Sequence, residues 1–219
     1  MIVFLNDTFL PLSEAKISVD DYGFLYGCGI FETMRGYNGK VFRLDAHLDR
    51  LKESADRLGI PVQVDSLKEE INDVIRINRL AEARVRVYLT FGEGTVTPDL
   101  RSCQHPTLLI KAVPYTPLSA EVYEKGFRVM ISTFQRCSQS VLTGLKTANY
   151  LENLLVRKEA ADSGYQDAIL LNAKGNVAEA SSSNLFIVSG DLLKTAPLQS
   201  GILPGSTRAV VLDLAAASG

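Results

Sequence analysis

The chain has 219 residues, 46% hydrophobic and 22% charged. That balance excludes intrinsic disorder and fits one large or two small domains at the usual ~150 residues each. Its 23 basic and 25 acidic residues leave a net charge of −2, which argues against a nucleic-acid or polybasic membrane binder. No apolar run approaches the ~18 residues of a membrane-spanning helix. The N-terminal MIVFL stops at Asn6-Asp7 with nothing basic before it, short of a signal-peptide core. A cytoplasmic protein of enzyme size is expected.

In chain order, the first stretch reads as strand and hairpin. Phe31 to Tyr37 and Val41 to Leu44 are β-prone segments around Asn38-Gly39, a dipeptide suited to the positive φ angles of a tight hairpin. Asp45 then predicts the N-cap of a helix whose Leu44, Leu48, Leu51, Ala55 and Leu58 recur at three- and four-residue spacing until Gly59. Ser66 predicts the opening of a second helix, with Leu67, Ile71, Val74 and Ile75 on one stripe. Strands are expected at Ala83 to Thr90 and Thr107 to Val113. The polar segment 114–125, with Pro114 and Pro117, reads as a linker between an N-terminal α/β domain, 1–113, and a C-terminal cofactor-binding α/β domain, 126–219. The latter is expected to contain a strand at Arg128 to Thr133 and a helix at Asn149 to Ser163. Strands at Asp167 to Asn172 and Val177 to Ala180 follow, then a hairpin of Leu185 to Val188 with Leu192 to Thr195. A last helix runs through Val210, Val211 and Leu214. Hairpins beside helices make the class α+β.

The chemistry that residue types allow is narrow. Cys28, Cys103 and Cys137 form no CxxC pair, and only His47 and His105 supply imidazoles. A zinc ribbon, a redox dithiol and a His-rich metal site are therefore excluded, and no GxSxG elbow supports a serine triad. Gly27-Cys28-Gly29 fails as a dinucleotide fingerprint, because Glu32 stands at the third glycine position and a strand follows. Ser181-Ser182-Ser183 reads as a turn whose hydroxyls satisfy local backbone groups. The loop Gly201 to Gly205, ending in Ser206-Thr207 before a helix, suits a phosphate through backbone N–H groups and the helix dipole; simple N-capping by Ser206 is the alternative. Lys146, flanked by apolar sequence, is a candidate desolvated amine able to form a Schiff base, or else a solvated lysine opening a helix. With helical geometry, Tyr150 would share its face. A phosphate site, a sheltered lysine and Glu179 together match what an aldehyde cofactor with a phosphate and a ring nitrogen requires.

Five segments in order then carry a family resemblance. They are Tyr26-Gly-Cys-Gly-Ile-Phe-Glu-Thr-Met-Arg35, His47-Leu-Asp-Arg50-Leu, Lys146-Thr-Ala-Asn-Tyr150-Leu-Glu-Asn-Leu, Glu179-Ala-Ser-Ser-Ser-Asn184-Leu-Phe and Gly201-Ile-Leu-Pro-Gly-Ser-Thr-Arg208. The chain resembles the class IV, fold-type IV pyridoxal-phosphate enzymes, which include branched-chain aminotransferases, D-amino-acid aminotransferases and aminodeoxychorismate lyases. The resemblance implies a two-domain fold-type IV architecture with pyridoxal 5'-phosphate as cofactor. Lys146 would be the Schiff-base lysine and proton shuttle, and Arg50 would pair with the phosphate, joined by Gly205, Ser206 and Thr207. Tyr150 would bond the phenolic oxygen, Glu179 the ring nitrogen, and Leu203 would lie on a ring face. Phe31, Thr33 and Arg86 would stand on the substrate side, Arg86 near a carboxylate; an outward solvated stripe of Arg84 and Arg86 is the alternative.

Thr90-Phe91-Gly92-Glu93 lacks the arginine and histidine that the D-amino-acid enzymes carry. The resemblance therefore implies transamination of L-branched-chain amino acids with 2-oxoglutarate by a homodimer acting on small amino and keto acids. Thr33 and Lys146-Thr147 leave aminodeoxychorismate lyase, releasing pyruvate and 4-aminobenzoate, as an alternative. Family members run several dozen residues further, so a C-terminally truncated, weakly cofactor-binding or non-catalytic fragment is a third expectation.

Overall fold

A computed structural model describes residues 1–218. The chain forms two compact units. One comprises Met1–Pro117 with Lys146–Asn149, the other Leu118–Leu145 with the residues from Tyr150 on.

In the first unit, β1 (Ile2–Leu5) and β2 (Thr8–Pro11) form a hairpin. Asn6 and Asp7 take φ of 40° and 49° in its turn, a conformation these short polar side chains tolerate. Helix α1 (Tyr22–Tyr26) precedes β3 (Gly29–Tyr37) and β4 (Lys40–Val41), then α2 (Leu44–Leu58) and α3 (Val64–Ile77). Strands β5 (Ala83–Thr90) and β6 (Thr107–Pro114) complete an antiparallel sheet of order β2-β1-β6-β5-β3-β4. Ala83, Val85, Val87 and Leu89 of β5 are at most 1% exposed beneath α2 and α3. The apolar stripes of those helices, Leu48, Leu51 and Ala55 with Leu67, Ile71 and Val74, close the core. The alternate residues Arg84, Arg86, Tyr88 and Thr90 project from the opposite face.

In the second unit, α4 (Ala120–Lys125) and β7 (Val129–Arg136) are followed by α5 (Leu151–Asp162), β8 (Asp167–Asn172) and β9 (Val177–Ala180). β7 pairs parallel with β8 across the α5 crossover, and β9 adds antiparallel to β8. Val156 and Ala160 of α5 bury against Ala168 and Leu170. A hairpin of β10 (Phe186–Ser189) and β11 (Leu192–Thr195) leads to α6 (Ser206–Ser218).

Several local expectations are corrected. Asp45 is not the cap of α2: the cap is Arg43, left-handed at φ 52° and without a side-chain cap bond. Asp45 instead lies in the first turn, where the helix dipole favours a carboxylate, and pairs with Lys68 of α3. Residues 42–44 are therefore not strand. α3 opens at Val64 rather than Ser66, whose hydroxyl bonds back to the Gln63 carbonyl. Residues 120–125 of the predicted linker are helical, with Glu121 and Lys125 paired at i,i+4.

Ile71, fully buried between α3 and the sheet, tests the core. Ile71→Ala is expected to destabilise the first unit by about 2–5 kcal/mol, read as a lowered urea midpoint by circular dichroism.

Candidate active site

Lys146 is set by strand geometry, not by a helix. β4 covers only Gly36 and Tyr37 of β3 on one side, leaving the edge of its first residues open. Residues 146–148 fill it: the Phe31 N–H donates to the Lys146 carbonyl (2.9 Å), and the Ala148 N–H to the Gly29 carbonyl (2.8 Å). The Asn149 amide adds a bond to the Gly27 carbonyl (2.9 Å). The helix starts only at Leu151, so the i,i+4 relation expected between Lys146 and Tyr150 does not exist. The extended backbone turns successive side chains to opposite faces instead.

The half-buried Lys146 places Nζ 4.6 Å from the ring centre of Phe31. Phe31 stacks on Tyr88 with ring centres 5.9 Å apart. The Arg86 guanidinium lies 6.0 Å from the Phe31 ring centre and donates from Nη1 to the Tyr88 hydroxyl (2.7 Å). Thr33 is the cross-strand partner of Arg86. Lys146 and the expected substrate-side residues Phe31, Thr33 and Arg86 thus gather on one face of this unit.

Arg50 lies on the other face. Its Nε and Nη2 donate to the two oxygens of Glu32 (2.7 and 2.6 Å), and His47 Nδ1 is 2.8 Å from Glu32 Oε2. Glu32 is 1% exposed. Burial alone pushes its carboxyl up, but the hydrogen bonds and charges of His47 and Arg50 outweigh that and hold it below the usual carboxylate range. Sequence reasoning missed Glu32. The signal was its place in the alternation, between Ile30 and Met34 on the core side of β3, where a carboxylate needs partners.

In the second unit, Glu179 of β9 is 6% exposed. Its Oε1 accepts from Arg136 Nη2 (2.7 Å); its Oε2 accepts from the Leu203 N–H (3.0 Å) and Asn184 Nδ2 (3.4 Å). Asn184 Nδ2 also donates to the Leu203 carbonyl (2.9 Å). A Cβ on Gly205 would come within 2.0 Å of Asn184 Oδ1, so any side chain there would displace the Asn184 amide. The Gly205 carbonyl accepts from the Ala209 N–H (3.0 Å), which puts Gly205 rather than Ser206 in the capping position. Ser206 and Thr207 then belong to the first turn of α6, which carries no acidic residue. Tyr150 immediately precedes α5. Arg136 and Asn184, the side chains that hold Glu179, were not foreseen as site residues. The serine run is corrected too: the Ala180 N–H bonds the Ser183 carbonyl, while Ser181 Oγ is buried without a partner among the described residues.

The second unit's own donor set fits the ring nitrogen and the phosphate of a phosphorylated pyridine aldehyde. The second unit offers a buried carboxylate with three donors on two oxygens, leaving acceptor capacity for a ring N–H. It also offers a helix N-terminus with two hydroxyl-bearing residues for a phosphate. Taken by itself, the first unit holds a primary amine beside an aromatic ring.

The profile of the family described as Amino-transferase class IV matches residues 29–219. A Methanocaldococcus jannaschii protein provisionally named a branched-chain-amino-acid aminotransferase is 40% identical over the whole chain, which covers 76% of it. The Escherichia coli branched-chain amino acid aminotransferase structure superposes with a TM-score of 0.94 at 33% identity, over all of this chain and 75% of that one. The T.th. branched-chain enzyme complexed with N-(5'-phosphopyridoxyl)-L-glutamate gives 0.91 at 29%, over all of this chain and 74% of that one. A 4-amino-4-deoxychorismate lyase structure from Pseudomonas aeruginosa gives 0.88 at 28%, over 99% and 78%. The chain belongs to the class IV aminotransferase family, and its α+β architecture is that of fold-type IV.

The Glu32 cluster yields a pH-dependent prediction. Because its carboxyl is held low in the folded chain, its stabilising effect is complete above the unfolded value of ~4.3 and lost as pH falls through the folded one. Glu32→Ala is expected to cost about 3–5 kcal/mol at neutral pH. In urea unfolding, the gap to the unsubstituted chain narrows as the pH is taken below ~4.3.

Proposed function

We propose that the chain transfers the amino group of L-branched-chain amino acids to 2-oxoglutarate, with pyridoxal 5'-phosphate as cofactor. The observation that carries this reading is the Lys146 amine fixed on the β3 edge, sharing the Phe31 ring with Arg86. The cofactor supplies, when bound, an electron sink for the pair left on the substrate Cα. Lys146 would take up and return the proton of the substrate Cα, and Glu179 would hold the ring N–H. Gly205, Ser206 and Thr207 would hold the phosphate, with Arg50 contributing only what its two bonds to Glu32 leave it; Tyr150 would donate to the phenolic oxygen, and Leu203 would cover a ring face. Arg86 orients a substrate carboxylate, Phe31 keeps water from the amine, and Thr33 lines the wall opposite Arg86. The relatives' names support the branched-chain assignment.

A cytoplasmic homodimer completes the reading. Its three cysteines are free, in keeping with a reducing compartment. Val19 and Phe24, 71% and 73% exposed, suit cover by a second copy. Among the described residues no helix is long and apolar enough to cross a membrane.

A second reading is aminodeoxychorismate lyase. It is favoured by Thr33 beside Arg86 and by likeness to structures described as that enzyme.

Adding pyridoxal phosphate is expected to give a visible absorption band that Lys146→Ala abolishes. Leucine with 2-oxoglutarate then yields glutamate. Pyruvate and 4-aminobenzoate from aminodeoxychorismate, without glutamate formation, would select the lyase.

A further inference from the structure

Glu32 places a charge where the fold alone does not need one. It stands on β3 between Ile30 and Met34, which are 1% and 2% exposed, and is itself 1% exposed. A well-packed apolar side chain in place of a buried ion pair is often neutral or stabilising. Stability therefore does not account for the carboxylate, and its partners point to a second role.

Those partners hold it, and through it Arg50, in one orientation. Arg50 Nε donates to Glu32 Oε1 (2.7 Å) and Arg50 Nη2 to Oε2 (2.6 Å), while His47 Nδ1 lies 2.8 Å from Oε2. The side chains of His47 and Arg50 are 11% and 10% exposed, and they share a face of α2 as an i,i+3 pair. The N–H donors of a guanidinium all lie in one plane. Two bonds from its Nε–Nη2 edge to one carboxylate fix that plane and its rotation, where a single bond would let it turn. The Nη1 corner then lies across the central carbon from Glu32. The same strand holds the amine, since the backbone N–H of Phe31, the residue before Glu32, donates to the Lys146 carbonyl. Successive residues of β3 thus set Lys146 on one face and Arg50 on the other.

We infer that Glu32, braced by His47, is a positioning residue that orients the Arg50 guanidinium for the phosphate of the cofactor. The inference rests on the proposed role of Arg50 as a phosphate ligand. An arginine held in this way has lost its rotamer freedom before the anion arrives, so less ordering entropy opposes the new bond. Glu32 acts only through Arg50.

The test compares affinity for pyridoxal phosphate with affinity for pyridoxal, which lacks the phosphate. Both are measured by equilibrium dialysis on the unsubstituted chain, Glu32→Gln, Arg50→Lys and the double substitution. The ratio of the two affinities reads the grip on the phosphate alone. Glu32→Gln is expected to reduce that ratio about 10-fold, as befits a weakened charge-assisted bond. In the Arg50→Lys background the same change is expected to move it by less than about twofold, because residues that act through one another are not additive. Should Glu32→Gln fail to fold by circular dichroism, Glu32→Asp keeps the charge while drawing the carboxylate back by one methylene, and a fall in the same direction is expected. Equal loss of both ligands, or a full loss that persists in the Arg50→Lys background, overturns the inference. A ratio that falls in Arg50→Lys but in neither Glu32 variant overturns it while sparing the role of Arg50. A ratio unmoved by Arg50→Lys refutes that role, and the inference with it.

Discussion

Two hydrogen bonds at the edge of β3 fix the backbone that carries Lys146, the amine proposed to be reactive. One side of that strand is paired with β5 from Gly29 to Gly36, while β4 protects only the last two residues of the other. An open edge beside Gly29 and Phe31 would leave backbone groups exposed for pairing with any extended segment. The chain fills it with its own residues 146–148, more than a hundred positions later, through the Phe31 N–H and the Ala148 N–H. Pairing of this kind fixes direction as well as position, because it dictates which side of the strand each side chain takes. The Lys146 amine consequently stands over Phe31, on a scaffold whose opposite face is welded to α2 and α3.

Charge is distributed unequally over the two faces of that sheet. On the helix side, Glu32 is enclosed by Arg50 and His47, a buried anion matched by donors on both oxygens. Leaving any of these groups without its partner there would carry the desolvation penalty of an uncompensated charge. On the open side, Arg86 and Lys111 face each other with no carboxylate among the described residues to balance them. The second unit repeats the compensated arrangement at Glu179, held by Arg136, the Leu203 N–H and Asn184. At both buried carboxylates, Glu32 and Glu179, burial is thus matched with donors on each oxygen, whereas the cations on the open face lie beside the amine proposed to be reactive.

Much of the fold was legible where periodicity and punctuation agree. The bounds of β5, β8, β9 and β11 follow directly from β-branched runs and glycine turns, and Gly59 ends α2 at φ 75°. Helix α1 was invisible because Tyr-Gly-Phe-Leu-Tyr has poor intrinsic helix propensity. It persists through Asp21, which caps Gly23 while the Thr90 and Thr107 hydroxyls donate to its other oxygen from strands far along the chain. The starts of α2 and α3 misled for a related reason, since neither carries a side-chain cap. The extended course of residues 146–148 belongs to tertiary pairing and overrides the helical pattern that follows it. Of the candidate site, residue types and motif order put forward Lys146 and Glu179 as candidates, without the contacts around them. The Arg136–Glu179 bond joins residues 43 positions apart, which no local pattern could reveal.

The most direct test of the central claim, that the amine held on the β3 edge is the reactive one, is chemical trapping. The chain is loaded with pyridoxal phosphate, reduced with borohydride, digested and mapped by mass spectrometry. The phosphopyridoxyl group is predicted on the peptide containing Lys146 and on no other lysine. Stoichiometric label on Lys111 or another lysine, with Lys146 unmodified, would contradict it.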